Sequence, residues 1–173
     1  MLPEYLESLK KAGQSKKAIL RQTKRMRKMR KGEVDDLIHP LHEKAFEKVD
    51  CLQCANCCKT TSPILTEKDT KRISKHLGMK GGDFAQKYLY LDEDQEYALK
   101  TVPCPFLGDD NFCGIYDVRP RACSDYPHTD QVNQVGILQL TQKNATICPA
   151  VADIFIELER VTEEVYGKVK RKN

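Results

Sequence analysis

Four cysteines fall within eight residues in Cys51-Leu52-Gln53-Cys54-Ala55-Asn56-Cys57-Cys58, and four more follow singly at Cys104, Cys113, Cys123 and Cys148. Two cysteines separated by two residues can turn their sulfurs toward one point, because a tight turn brings their Cα atoms together. That spacing therefore recurs in zinc and iron–sulfur sites. Here it runs twice in series, from Cys51 through Cys54 to Cys57, as in loops that wrap a metal or a cluster. Cys58 follows Cys57 directly. Adjacent side chains point in different directions, so Cys58 argues for a second site, a cluster edge or a redox thiol. Eight sulfurs would fill two tetrahedral four-sulfur sites. All eight, Cys51, Cys54, Cys57, Cys58, Cys104, Cys113, Cys123 and Cys148, are the candidate metal ligands.

The competing reading is a disulfide framework, since the cysteine count is even. Three features oppose it. A chain of 173 residues can bury a core without staples. The opening Met1-Leu2-Pro3-Glu4-Tyr5 has no apolar signal-peptide core. Adjacent and two-apart cysteines bridge each other only under strain. A cytoplasmic protein is expected, without a membrane span, and in that reducing compartment cysteines serve more often as ligands or redox thiols.

Charge is unevenly placed. Residues 1–31 hold eleven Lys and Arg against two Glu, while the body that follows is acidic and the last six residues are again basic. An acidic body carrying thiolates would repel nucleic acid. A protein partner with an acidic surface suits the basic ends better, above all Lys24-Arg25-Met26-Arg27-Lys28-Met29-Arg30-Lys31. The plainer alternative is a solvated helix, or a tail folded back on the acidic body.

Hydrophobic periodicity points to an α+β chain, mostly helical, with a small cysteine-rich metal-bound core, short hairpin strands and flanking amphipathic helices. A basic helical N-terminal arm is expected over residues 1–32, the cysteine-cluster domain over 33–167 and a basic tail over 168–173. Ser15 is placed to cap a helix. Val34, Leu37, Ile38, Leu41, Ala45 and Val49 form a helical stripe, which Pro40 should kink or restart. The cysteine run reads as irregular loop to Pro63. Thr66-Glu67-Lys68-Asp69 reads as a capping box, with Gly78 ending its helix, and Asp83 as the cap of the next. Tyr88 to Val102 reads as a hairpin around an acidic turn. Asp117 should cap a short helix bearing Cys123, with Arg119 paired to a carboxylate such as Asp125 and Tyr116 in the core. Val135 to Leu140 reads as a strand. Pro149 should open a final helix buried through Val151, Ile154, Phe155, Leu158, Val161 and Val165. Of the histidines, His39 and His42 stay outside the metal site, and His128 is a substitute ligand at most.

These residues together resemble the signature of the YkgJ-type cysteine-cluster family, CxxCxxCC, described as a zinc- or iron-chelating domain. The likeness runs from Cys51-x-x-Cys54-x-x-Cys57-Cys58 through Pro63-Ile64-Leu65-Thr66-x-x-Asp69-x-x-Arg72-Ile73. It continues in Cys104-Pro105-Phe106-Leu107, Cys113-Gly114-Ile115-Tyr116-x-x-Arg119-Pro120-x-x-Cys123, Tyr126-Pro127 and Cys148-Pro149. It covers roughly residues 50–150. The resemblance implies bound zinc or iron, including a 4Fe–4S or 2Fe–2S cluster, and no settled activity. Some relatives are of a flagellin lysine N-methylase type, but this chain shows no glycine-rich strand–helix unit for a methyl donor. Three functions therefore stand at this level: a metal-binding protein without an assigned reaction, an iron–sulfur redox or protein-modifying enzyme, and an adaptor docking an acidic partner through its basic ends.

Overall fold

The computed structural model describes the backbone of residues 1–170 and the side chains of residues 1–162. The side chains of the basic C-terminal tail, and Val165 in the stripe of the last helix, lie outside the described residues. The chain divides into two units, one formed by Met1–Cys54 with Pro127–Asn173, the other by Ala55–Tyr126.

The first unit is helical. Its members are α1 (Pro3–Gln14), α2 (Lys16–Met26), α3 (Glu33–Phe46), the short α4 (Cys51–Cys54), α9 (Gln134–Asn144) and α10 (Pro149–Lys170). Helix α10 is the axis, and α1, α2, α3 and α9 all pack against it. Val151, Ile154, Phe155 and Leu158 are buried on it, as the 3.6-residue period requires. Tyr5 and Ala12 of α1 and Ile19 and Met26 of α2 are buried too, so the basic segment presents an apolar stripe to the unit and its charges to water.

Three local expectations change here. Ser15 stands at the N-cap of α2, but its side chain makes no capping hydrogen bond. Pro40 lies inside α3 and does not end it. The missing N–H deprives only the carbonyl one turn back, that of exposed Asp36, which water can serve, while Val34, Ile38 and Ala45 remain buried on either side of it. Val135 to Leu140 is not a strand but part of α9. Burial recurs there at Gln134, Leu138, Thr141 and Asn144, a helical period. The Asp35 carboxylate accepts hydrogen bonds from the backbone N–H groups of Asn133 and Gln134, both at 2.7 Å, and so supplies acceptors at the helix start.

The second unit holds α5 (Asn56–Thr60), β1 (Ile64–Leu65), α6 (Glu67–His76), α7 (Gly81–Tyr88), β2 (Leu89–Leu91), β3 (Tyr97–Leu99), a 3₁₀ turn (Tyr116–Val118) and α8 (Arg121–Ser124). The sheet is antiparallel in the order β1-β3-β2, with Leu65 opposite Tyr97 and Leu89 opposite Leu99. This small sheet and the surrounding helices give the α+β, mostly helical class. Alternation turns Leu65, Leu89 and Leu99 into one core with Ile73, Phe84 and Ile115. Phe84, Tyr88 and Phe106 pack ring to ring around it, at centroid separations of 5.0–6.3 Å.

The Thr66 capping box forms as expected. Helix α6 stops where Gly78 takes a left-handed φ of +65°, with the Met79 N–H donating back to the Ser74 carbonyl at 2.9 Å. The hairpin around Asp92-Glu93-Asp94 also forms. Asp83 is inside α7 and not its cap. Asp117 lies in the 3₁₀ turn, and α8 begins after Pro120. The cysteine run is less irregular than its composition suggests. It makes two helical turns, α4 and α5, separated by Ala55 at a left-handed φ of 47°.

Candidate metal centre

None of the eight cysteines is in a disulfide. The unit boundary falls inside the dense run, after Cys54. Cys51, Cys54 and Cys148 belong to the first unit, and Cys57, Cys58, Cys104, Cys113 and Cys123 to the second.

In the first unit, the segment leading to Cys51 is held by Tyr5. Its hydroxyl donates to the Lys48 carbonyl at 3.4 Å and accepts from the Asp50 N–H at 3.0 Å. The Asp50 carboxylate then accepts from the Leu52 N–H at 2.9 Å, and the Asp50 carbonyl accepts from the Cys54 N–H at 3.1 Å, which winds α4. Cys148 is buried directly before α10. Burial pushes its thiol up to about 12, against the N–H groups of Val151 and Ala150, which point at the sulfur and favour its anion. Negative charge on Cys51 or Cys54 raises it further, so the three thiols are electrostatic neighbours.

In the second unit, Cys57 and Cys58 sit side by side on α5 with their sulfurs 4.0 Å apart. The two sulfurs share a hydrogen bond in which either can be the donor. With the Lys59 ammonium, it outweighs burial and brings Cys58 down to about 7. The Cys58 carbonyl accepts the Cys104 N–H at 2.8 Å. Lys59 reaches across to donate to the Asn111 side chain at 2.6 Å, tying α5 to the turn before Cys113. That turn closes through Gly108 N–H to the Phe112 carbonyl at 2.8 Å and a bridge between Leu107 and Cys113. Cys104 and Cys113 both pack against the aliphatic core. Burial raises each of them, while backbone N–H groups of Phe106 and Leu107 at Cys104, and of Ile115 at Cys113, act the other way. Burial lifts Cys123 to about 12, and charge on Cys58, Cys104 or Cys113 lifts it further.

Helix α8, which carries Cys123, is anchored by Asp69 of the α6 capping box. The Asp69 carboxylate is 2 % exposed and accepts four hydrogen bonds. They come from the Thr66 N–H (2.9 Å), the Thr66 hydroxyl (2.6 Å), the Arg72 guanidinium (2.6 Å) and the Arg121 N–H (3.1 Å). Arg72 also donates to the Arg119 carbonyl at 2.8 Å. The capping box was legible in sequence. The two bonds that reach α8 and its entry, across about fifty residues, carry no local signal.

The polar expectations around the cysteines divide. Asp125 pairs with Arg121 at 3.0 Å and not with Arg119. The Arg119 guanidinium instead lies 3.9 Å from the centre of the Tyr116 ring, and Tyr116 is 53 % exposed and outside the core. Planar guanidinium on an aromatic face is favourable even at a surface. His39 and His42 meet the Gln131 carbonyl (3.0 Å) and the Thr129 hydroxyl (2.7 Å). His128 stands on a left-handed turn in the first unit, its carbonyl bonded to the Gln134 side chain.

Thiol donors with amide N–H groups directed at their sulfurs suit soft or borderline metal ions, which bind the thiolate form. Among the described residues, no three His, Cys, Asp or Glu side chains stand in closed ligating geometry, so ligation would require side-chain adjustment. No described helix is long and apolar enough to cross a membrane. Residues 50–149 match the family model "CxxCxxCC: Putative zinc- or iron-chelating domain". No curated protein and no solved structure matches the chain.

Proposed function

The chain belongs to the CxxCxxCC family, and from that premise we propose that it holds zinc or iron through thiolates drawn from Cys51, Cys54, Cys57, Cys58, Cys104, Cys113, Cys123 and Cys148. The observation that carries this reading is the family match over residues 50–149, and backbone amides beside the sulfurs of Cys104, Cys113 and Cys148 agree with it. A buried neutral thiol has little use for several N–H donors, whereas a thiolate ligand is stabilised by them. Cys148 is buried, and Cys104 and Cys113 are half-buried, among apolar or backbone groups that disfavour a bare anion, and a bound cation offsets that cost. Metal bound by the folded chain then adds to its stability. The reading places the protein in the cytoplasm, where thiols stay reduced.

A redox role is the second reading. Cys104 and Cys148 are each followed by proline, as remote cluster ligands can be, and both receive amide donors of the kind that set cluster potentials. Protein modification of the lysine N-methylase kind rests on the family likeness alone. The adaptor reading rests on the exposed Lys24, Arg25, Arg27, Lys28 and Lys31 around the end of α2. Reversing those charges should abolish capture of an acidic partner without changing metal content.

The deciding experiment measures zinc, iron and acid-labile sulfide, with the visible spectrum, on protein purified without oxygen. Colourless protein with zinc supports the structural site. Colour with iron and sulfide supports the cluster. A chain that carries neither metal and takes up neither on reconstitution refutes metal binding.

A further inference from the structure

We infer that the open edge of β2 is a docking edge for a second copy of this chain, the two copies joining as an antiparallel strand pair about Tyr90. Three features of the hairpin meet there, and none involves a metal: backbone groups left open, apolar side chains beside them, and opposite charge at the two ends of the strand.

Strand β2 pairs with β3 alone and so ends the sheet on one side. The phase of the ladder is fixed at both ends. The Lys100 N–H donates to the Tyr88 carbonyl at 2.9 Å, and the Asp92 N–H donates to the Glu96 carbonyl at 3.0 Å. Antiparallel pairs alternate, so Tyr90 turns its peptide groups toward β3 while Leu89 and Leu91 turn theirs away. The Leu89 N–H is taken by the Ala85 carbonyl at the end of α7. The Leu89 carbonyl and both peptide groups of Leu91 have no hydrogen-bond partner among the described residues. The side chains beside them are apolar and reach water. Tyr90 is 45 % exposed and Leu91 49 %. Tyr90 shares a face of the sheet with exposed Ile64, since both stand opposite Ala98. An edge of this kind accepts a further strand.

Charge selects the occupant. Lys87 stands before the start of β2, and Asp92-Glu93-Asp94 follows its end. Asp92 is engaged by its own turn, accepting from the Asp94 and Glu96 N–H groups at 2.9 Å each. Lys87 and Glu93 are exposed, and neither belongs to an ion pair among the described residues. The Lys87 ammonium lies 4.9 Å from the centre of the Tyr88 ring. A strand that is basic at one end and acidic at the other complements itself when run antiparallel, whereas parallel pairing brings like charges together. With Tyr90 opposite Tyr90 of the second copy, each Leu91 N–H donates to the other copy's Leu89 carbonyl. Each Glu93 then meets the other copy's Lys87, and the two tyrosines form a non-hydrogen-bonded pair, where side chains approach closely. A slip of one residue would set Leu91 against Tyr90, whose peptide groups already serve β3. Strands of three residues make a small contact, of the weak and concentration-dependent class.

The test is sedimentation equilibrium of the full chain across a concentration series, with reductant present to prevent thiol cross-linking. Wild type should show a reversible monomer–dimer equilibrium. K87E and E93K each create two like-charge contacts in the dimer and should weaken it about tenfold, and K87E/E93K should restore it. Both positions are exposed, and circular dichroism checks that each variant keeps its fold. Hydrogen exchange on the wild-type chain locates the contact without any substitution, since the Leu91 amide should slow as concentration rises. A chain that stays monomeric up to about 1 mM overturns the inference. So does association that grows past the dimer, because a two-fold strand pair closes on itself. A dimer that the single reversals leave unchanged, that the double reversal fails to restore, or whose Leu91 exchange ignores concentration is held by some other surface and equally refutes it.

Discussion

Replacing Asp69 by Ala should destabilise the second unit by about 3 kcal/mol. Removing one partner of a buried, hydrogen-bonded charge typically costs about 3–5 kcal/mol, because the other groups are left unsatisfied. Here those groups are the Thr66 N–H and hydroxyl, the Arg121 N–H and the Arg72 guanidinium. Arg72 is 41 % exposed, so water can take over its share and the lower end of the range applies. Urea unfolding followed by circular dichroism, comparing transition midpoints at unchanged slope, gives the number. A loss under about 1 kcal/mol, no more than an ordinary helix cap contributes, would refute the view that Asp69 joins α6 to α8. The pH dependence adds a second check. Burial pushes the Asp69 carboxyl upward, but hydrogen bonds from Thr66, Arg72 and Arg121 together hold it below the ordinary carboxylate range. A group lowered in the folded state contributes stability above its unfolded pKa, about 4. That contribution is lost as pH falls through the folded value. The stability gap between wild type and Asp69→Asn should therefore be widest near neutrality and should narrow in acid. A gap that is flat from neutral pH into acid would show that the carboxylate charge is not what holds α8.

Phe84, with no exposed surface and two ring partners, should cost about 3–5 kcal/mol when changed to Ala, measured by the same urea transition. Gly78→Ala meets no atom within 4 Å of the new Cβ, so its cost is the left-handed backbone alone, about 1–2 kcal/mol, read as a lower midpoint with α6 still formed. Asp35→Ala removes the two acceptors at the start of α9 and should cost about 1–2 kcal/mol, with hydrogen exchange rising first at Asn133 and Gln134. Chelator treatment of metal-loaded protein should lower its melting temperature, and an unchanged value would deny the metal a part in folding.

What was legible in the sequence was local. The Thr66 box, the Gly78 stop, the acidic hairpin turn and the start of α10 at Pro149 each depend on residues within a turn of one another. Val135 to Leu140 misled because a short apolar run fits either period, and the deciding contact, Asp35 at the start of α9, lies about a hundred residues away. Pro40 did not restart the helix, because its cost depends on whether the carbonyl one turn back can reach water, which is a property of the tertiary surface. The cysteine spacing pointed to metal chelation, and the family match agrees at that level. The approach of Cys58 to Cys104 was not legible, because it runs through a backbone hydrogen bond that no motif encodes. Arg119 and Asp125 show the same limit, since complementary charge in sequence did not make them partners.

The hydrogen bond between the Cys104 amide and the Cys58 carbonyl also bears on the order of events. It closes a loop of about 45 residues, and closure on that scale costs about 3 kcal/mol in chain entropy. The sheet and the aliphatic core meet that cost when the unit folds. If Cys58 and Cys104 ligate as proposed, an ion meets them already side by side, so its affinity should not carry the entropy of closing that loop.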